Sequence, residues 1–265
     1  MAEGWADPSG AAIPAPMSLE ESYGVIGIER RTATIAELWL RPRGGALGYL
    51  PGEYVLLEDR ERRVSPRSFS IASAPRPDGL ISLLVTRVPD GETSTWVHER
   101  LHVGEEVSVS GPYGTFVDDP TSTAPALFLA AGSGLAPIRA LIEAALASGI
   151  RRELTLIFSA RTEDDVIDRE RFEHWQAQHE RFRFIRTVTR GAGPPPLGRL
   201  PALLPLLYAD LSDPDLFIAG APGFVLACAA AADALGARRE RVHTEVFFVE
   251  PWPWTGEISQ EAASH

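Results

Sequence analysis

The rhythm of this chain changes once, across Asp118–Thr123, and that change constrains the fold more than any single motif. Before it, short runs of aliphatic, aromatic and β-branched residues alternate with Gly and Pro clusters. Tyr23–Glu29, Ile35–Leu40, Tyr54–Leu57, Ser68–Ala72, Leu80–Arg87 and Glu106–Ser110 read as strands. Gly44-Gly45, Pro51-Gly52, Pro75 to Gly79 and Pro89 to Gly91 punctuate them as turns. Six strands at this spacing predict an antiparallel barrel, with a short helix over Ser94–Leu101. After the change, strands at Ala126–Ala130, Glu153–Ser159, Phe182–Thr187, Leu216–Ala219 and Val242–Phe247 alternate with helices. The helices are Ala136–Ser148, Asp168–His179, Leu200–Leu207 and Gly223–Leu235. Such alternation predicts a parallel sheet covered by helices. The expected division is a disordered leader over 1–17, a barrel over 18–118, an α/β domain over 122–248 and a tail over 249–265. Gly191–Gly198, with three consecutive prolines, is expected to be a surface loop.

Composition excludes several classes of function. No uninterrupted apolar run reaches the ~18 residues of a membrane span, and Met1–Pro16 lacks the basic start of a secretory signal. Cys228 is the only cysteine. The chain therefore forms no internal disulfide and no cysteine-ligated iron–sulfur cluster, which needs about four thiolates. A cytoplasmic home is expected. Net charge is −11, and all 25 basic residues are arginine, which disfavours nucleic acid and anionic membranes as partners. The absence of Lys and Asn suggests a GC-rich, bacterial genome. The six histidines show no metal spacing, and His98 and His102, four apart, read as a cap on a surface helix.

Three stretches carry chemistry. Gly132-x-Gly134-x-x-Pro137 lies between an apolar strand and a helix, where a glycine turn lets backbone N–H groups approach a pyrophosphate. Pro137 suits the first helical turn. Arg67-Ser68-Phe69-Ser70 follows the turn Val64-Ser65-Pro66, and its guanidinium suits a diphosphate. Thr93-Ser94 opens a helix after Gly91, either as a plain N-cap or as a second anion site. A structural glycine turn, and a strand with an exposed Arg and a core Phe, are the plainer readings of the first two.

Taken in order with Gly111-Pro112-Tyr113-Gly114, Ala219-Gly220-Ala221-Pro222 and Glu245-Val246-Phe247, these motifs resemble the ferredoxin–NADP reductase family over residues 18–248. The resemblance implies an FAD-binding antiparallel barrel followed by a parallel-sheet nucleotide-binding domain. It implies hydride transfer from NADH or NADPH to FAD, then electron release to a ferredoxin, a flavodoxin or an oxygenase component. In that reading Arg67 binds the flavin pyrophosphate and Thr93 and Ser94 the second phosphate charge. Ser68, Phe69, Val85 and Thr86 contact the flavin, and Gly111 to Gly114 form a turn that closes the barrel. Ser70 lies at flavin N5 as a catalytic hydroxyl, with Glu245 and Phe247 beside it. Gly132, Ser133, Gly134 and Pro137 hold the nicotinamide nucleotide, Ala219 and Gly220 face its ring, and Arg161 reads its adenosine. The chain departs from the family pattern at Ala219, where relatives carry a cysteine, which removes thiol-assisted positioning of the ring.

Coenzyme choice follows from charge near Arg161. Arg161, Arg169 and Arg171 could hold a 2′-phosphate, but Glu163, Asp164 and Asp165 would repel one, so NADH is slightly favoured. Arg60, Arg62 and Arg63 are candidates for docking an acidic electron carrier. Trp252 and Trp254 are candidates to cover the flavin or the adenine, with a crossover to another subunit or a disordered tail as equal alternatives. A free flavin reductase and a non-catalytic flavin-binding regulator are the alternative readings.

Overall fold

The structure is a computed structural model that describes residues 19–149, 151–190 and 198–247. The expected leader, the proline run and the Trp-containing tail lie outside the described residues.

Six strands form the first sheet: β1 (Leu19–Arg30), β2 (Ile35–Pro42), β3 (Tyr54–Asp59), β4 (Arg67–Ser70), β5 (Ile81–Thr86) and β6 (Glu106–Tyr113). Their order is β4-β3-β6-β1-β2-β5, antiparallel throughout. A bridge between Ile71 and Leu83 brings the two edges together, so the sheet is a nearly closed barrel. Alternation explains the interior. In β3 every second residue is buried, and Val55 and Leu57 fill the barrel. The helix α1 (Glu92–Glu99) adds Trp96 and Val97 to the same core.

Five strands form the second sheet: β7 (Ala126–Ala131), β8 (Leu154–Ala160), β9 (Phe182–Val188), β10 (Asp215–Gly220) and β11 (Val242–Val246). The order is β11-β10-β7-β8-β9, all parallel. Helices α2 (Leu135–Ala147) and α3 (Arg169–Gln178) accompany one core, and α4 (Leu200–Leu207) and α5 (Pro222–Ala234) the other. The strand β7 reads as a continuous apolar run because both faces are covered. Ala126, Phe128 and Ala130 point into one core, Leu127 and Leu129 into the other.

The barrel does not stand apart. In β2 and β5, Leu38, Leu40, Ile81, Leu83 and Val85 face the barrel interior, while Ile35 and Leu84 join the core of the second sheet. Glu37 and Ser82 sit on that outer face as well, and both meet Arg139 of α2. Arg139 is fully buried. Its Nε donates to the Ala72 carbonyl at 2.5 Å, Nη2 to Glu37 Oε1 at 2.5 Å and to Ser82 Oγ at 2.8 Å, and Nη1 to Asp168 Oδ2 at 2.5 Å. From the barrel side Arg31 pairs with Asp168 and lies 3.6 Å from Glu37. The second sheet thus supplies Arg139 and Asp168, the barrel Arg31 and Glu37, and each buried carboxylate meets an arginine of the other domain. Burial disfavours the charges on Arg139 and Asp168. The partners outweigh it, holding Arg139 above the usual arginine value and Asp168 below the usual carboxylate value. Removing one member of such a set strands a buried charge, at a cost of about 3–5 kcal/mol. One turn along α2, Glu143 accepts the Ala74 N–H at 2.9 Å.

Two expectations are corrected. Gly111 to Gly114 were expected as a turn, but β6 continues through Tyr113, which pairs with Tyr54, their rings 5.6 Å apart. The ladder partners of β1 and β3 extend that far, so the strand does too. His98 and His102 do not share a helix, because α1 ends at Glu99. His98 Nε2 lies 2.9 Å from the Val85 carbonyl, and His102 Nδ1 lies 3.3 Å from Glu105.

Candidate active site

The residues singled out in the second domain lie along one edge. Glu245 and Phe247 belong to or follow β11, Ala219 and Gly220 end β10, the glycine turn follows β7, and Arg161 follows β8. These are carboxyl ends of four adjacent parallel strands, the edge where open α/β sheets bind ligands. Ala131 leads into a 3-10 turn over Gly132–Gly134 and then α2, with Pro137 in its first turn. Gly132 is left-handed (φ 58°), and a Cβ there would meet nothing within 4 Å, so the backbone lies open to a ligand. Gly134 is required for the opposite reason: a Cβ would fall 2.3 Å from the Ala219 carbonyl oxygen. The Phe247 N–H donates to the Gly220 carbonyl at 2.8 Å, fixing the end of β11 against this turn.

The barrel contributes the facing wall. Ser70 ends β4, is buried, and donates its hydroxyl to Glu245 Oε1 at 2.8 Å across the cleft. The other carboxyl oxygen of Glu245 is enclosed without a hydrogen-bond partner. Burial pushes the Glu245 pKa up to about 7, against the smaller opposing effect of the Ser70 hydrogen bond. The Thr86 hydroxyl, at the end of β5, donates to Ser133 Oγ at 2.7 Å. Phe69 is half-buried against the barrel core, and the Val85 side chain lies wholly within that core.

Further along β4, Arg67 and Ser68 are exposed. Arg67 Nη1 donates to the Pro66 carbonyl at 3.2 Å, and no carboxylate pairs with it among the described residues. Gly91 is the N-cap of α1, with no side-chain cap. Thr93 and Ser94 are therefore not caps. They sit buried in the first turn with their hydroxyls turned back to the loop: Thr93 donates to the Ser65 carbonyl at 2.6 Å, Ser94 to Gly91 at 3.1 Å. The first bond ties the helix N-terminus, with its uncapped N–H groups, to the segment leading into Arg67.

The donor chemistry fits a flavin dinucleotide and a nicotinamide dinucleotide meeting at one point. An exposed guanidinium beside an uncapped helix start suits a diphosphate. An open left-handed glycine before α2 suits a second. Between them an incompletely paired carboxyl and a hydroxyl face each other.

Comparison with known proteins agrees. Residues 29–117 match the model of the oxidoreductase FAD-binding domain, and residues 128–229 that of the oxidoreductase NAD-binding domain. Ferredoxin–NADP reductase B of Sorangium cellulosum is 39% identical over 189 residues, 68% of this chain and 77% of that protein. The ferredoxin–NAD(P)(+) reductase component of naphthalene 1,2-dioxygenase/salicylate 5-hydroxylase systems from Ralstonia is 32% identical over 231 residues, 84% and 68% of the two chains. The chain belongs to the ferredoxin–NADP reductase family. It is an NAD(P)H-dependent oxidoreductase that uses FAD. The ferredoxin reductase of carbazole 1,9a-dioxygenase shares the fold, with a TM-score of 0.79 over 89% of this chain and 71% of that one, at 24% identity.

Within this reductase, the sequence reading of the adenosine site needs correction. Arg169 and Arg171 do not stand ready for a phosphate. Arg169 is bound to Glu173 at 2.8 Å and lies 3.7 Å from Glu163, and Arg171 lies 3.4 Å from Asp168. Glu163 also holds Arg186 at 3.0 Å. Arg161 remains exposed at the end of β8. The sequence reading assigned no role to Glu37, Arg139, Glu143 or Asp168. A signal was present: Arg139 sits between Ile138 and Ala140 in a helix whose first eight residues are all buried, and Glu37 sits inside a buried strand. A cavity of about 890 Å³ lies away from this site at the amino ends of the strands, among Asp118, Asp213, Asp215 and His243.

Proposed function

We propose that this reductase delivers its electrons to a separate iron–sulfur or flavin carrier, a ferredoxin, flavodoxin or oxygenase component, with NADH as the preferred donor. The observation that carries the flavin chemistry of this reading is the Ser70–Glu245 pair, which spans the cleft at 2.8 Å with one carboxyl oxygen unpaired. FAD, when bound, would supply the two-electron to one-electron redox chemistry. Arg67 and the first turn of α1, with Thr93 and Ser94, hold the flavin diphosphate. Ser68, Phe69, Val85, Thr86 and Phe247 shape the flavin site, Val85 through its backbone. Ser70 holds a proton at N5 and relays it to Glu245, whose pKa of about 7 suits it to exchange that proton near neutral pH. Gly132, Ser133, Gly134 and Pro137 take the nicotinamide dinucleotide, Ala219 and Gly220 border its ring, and Arg161 borders its adenosine. Glu163 supports NADH, since it occupies Arg186 and lies beside Arg169, leaving little spare positive charge for a 2′-phosphate. The working division is a barrel domain over 18–118 and a nucleotide domain over 122–248.

The acceptor reading rests on composition and on the relatives. One cysteine cannot ligate a cluster within these 265 residues, and Cys228 is buried with its thiol pushed up to about 12. The Ralstonia relative is named for oxygenase systems. Among the described residues, no helix is long and apolar enough to cross a membrane, and a reducing cytoplasm is the proposed compartment. Two of the three arginines before Arg67 are poor docking groups, since Asp59 holds Arg63 and Glu106 holds Arg60, which leaves the exposed Arg62 as the docking candidate. Mixing the purified protein with NADH and either ferredoxin or flavodoxin tests the acceptor. Reduction of the carrier at the expense of NADH is expected. Reduction of dissolved flavin alone would favour the free flavin reductase reading.

A further inference from the structure

Arg139 and Glu143 lie four residues apart on α2, and both grip the segment that follows the flavin strand β4. Arg139 donates to the Ala72 carbonyl at 2.5 Å, and Glu143 accepts the Ala74 N–H at 2.9 Å. The same helix begins at the glycine turn, five to seven residues before Arg139. A single rigid helix therefore connects the open backbone at Gly132 to the chain two residues beyond Ser70. Arg139 extends the grip to β2 and β5 through Glu37 and Ser82, and Arg31 closes the ring by pairing with Asp168. Asp168 holds a left-handed backbone (φ 56°), uncommon outside glycine, to present its carboxylate there.

We propose that Arg139 is a positioning residue for hydride transfer, setting the distance between the nicotinamide-binding turn and the flavin strand through its bonds to Ala72, Glu37, Ser82 and Asp168. It touches neither ligand. It acts by fixing α2 on the barrel, so that the nucleotide held at the helix start meets the flavin held by β4 at reacting distance. Misplacement of the reacting atoms by about 1 Å can cost on the order of 100-fold in rate. The inference rests on the reductase activity assigned above.

The test compares wild type with Arg139→Lys, which keeps the charge but loses the planar fork that reaches four acceptors. Flavin content and the Kd for NADH are expected to stay within about 2-fold, while flavin reduction at saturating NADH slows about 10-fold or more. Amide hydrogen exchange across residues 72–74 of the FAD-loaded protein should quicken in the same variant, with the rest of the barrel unchanged. A reduction rate within about 2-fold of wild type, or weakened NADH binding that accounts for the whole loss, overturns the proposal. Unaltered exchange at 72–74 overturns it as well. If Arg139→Lys fails to hold FAD, Arg31→Met at the quarter-exposed corner of the ring serves instead, with the same pattern expected at smaller size. Wild type that NADH does not reduce overturns the activity assignment itself.

Discussion

The barrel and the parallel sheet meet in two places built in opposite ways. At the cleft, contact rests on single hydrogen bonds, Ser70 to Glu245 and Thr86 to Ser133, with a carboxyl oxygen left unpaired and open space above Gly132. Behind it, Arg139 makes four hydrogen bonds to both domains, and Asp168 is shared by Arg139, Arg31 and Arg171. The first place keeps bonding capacity in reserve, at some cost in stability. The second surrounds its carboxylates with arginines that hold the domains together, and even Glu37 Oε2, which accepts no hydrogen bond, lies 3.6 Å from Arg31. The contrast teaches that a buried carboxyl with no cation beside it marks where ligands and protons come in, and carboxylates shared between arginines mark what must not move.

The sharpest break of this comparison is Arg67→Ala. Arg67 belongs to the cleft, with an exposed guanidinium that pairs with no carboxylate among the described residues. Its loss should weaken FAD binding by about 100-fold, the size of one or two charge-assisted hydrogen bonds. Melting of the flavin-free protein should be unchanged. A lower melting point without any loss of flavin would place Arg67 on the structural side of the divide.

Ser70→Ala comes next. Flavin reduction should slow by roughly 10-fold, equivalent to ~1.4 kcal/mol, with FAD still bound. Stopped-flow traces that match wild type would remove the hydroxyl from the chemistry.

Glu245→Gln has the smallest effect and the most specific sign. The folded-state pKa of about 7 lies above the ordinary 4.5, so the folded protein binds the extra proton between those values. Stability contributed by that proton is present at low pH and is lost as pH rises through about 7. Glutamine cannot ionise, so the flavin-free variant should be more stable than wild type at pH 8 by on the order of 1 kcal/mol. That is a rise in Tm of roughly 2–4 °C for a chain of this size. Equal melting points at pH 8, or a lower one for the variant, would show that the carboxylate is well solvated in the cleft.

Much of this architecture could be read in advance because it is written in local patterns. Strand runs, glycine punctuation and helix periodicity placed every strand and α-helix among the described residues within a few residues, including α4 despite its prolines at Pro201 and Pro205. The glycine turn was legible because Gly132 and Gly134 answer to backbone geometry, which a short motif encodes. The buried ring was not. Arg31, Glu37, Arg139 and Asp168 are far apart in sequence, and a charge in an apolar run announces that it needs a partner without naming one. Of the two readings left open for Thr93 and Ser94, the plain cap fails for a similar reason, since their partners, Ser65 and Gly91, depend on how the loop folds back. The adenosine arginines looked available because their neutralisation by Glu173 and Asp168 follows from three-dimensional packing of α3.

The most direct test of the account is an anaerobic titration of the purified protein with NADH, followed by the visible absorbance of its flavin and by chromatography of the flavin released on heating. The account predicts complete bleaching by about one equivalent of NADH, since one hydride fills one two-electron flavin, and FAD as the flavin released. A flavin that stays oxidised in excess NADH and NADPH, or release of FMN in place of FAD, would contradict it.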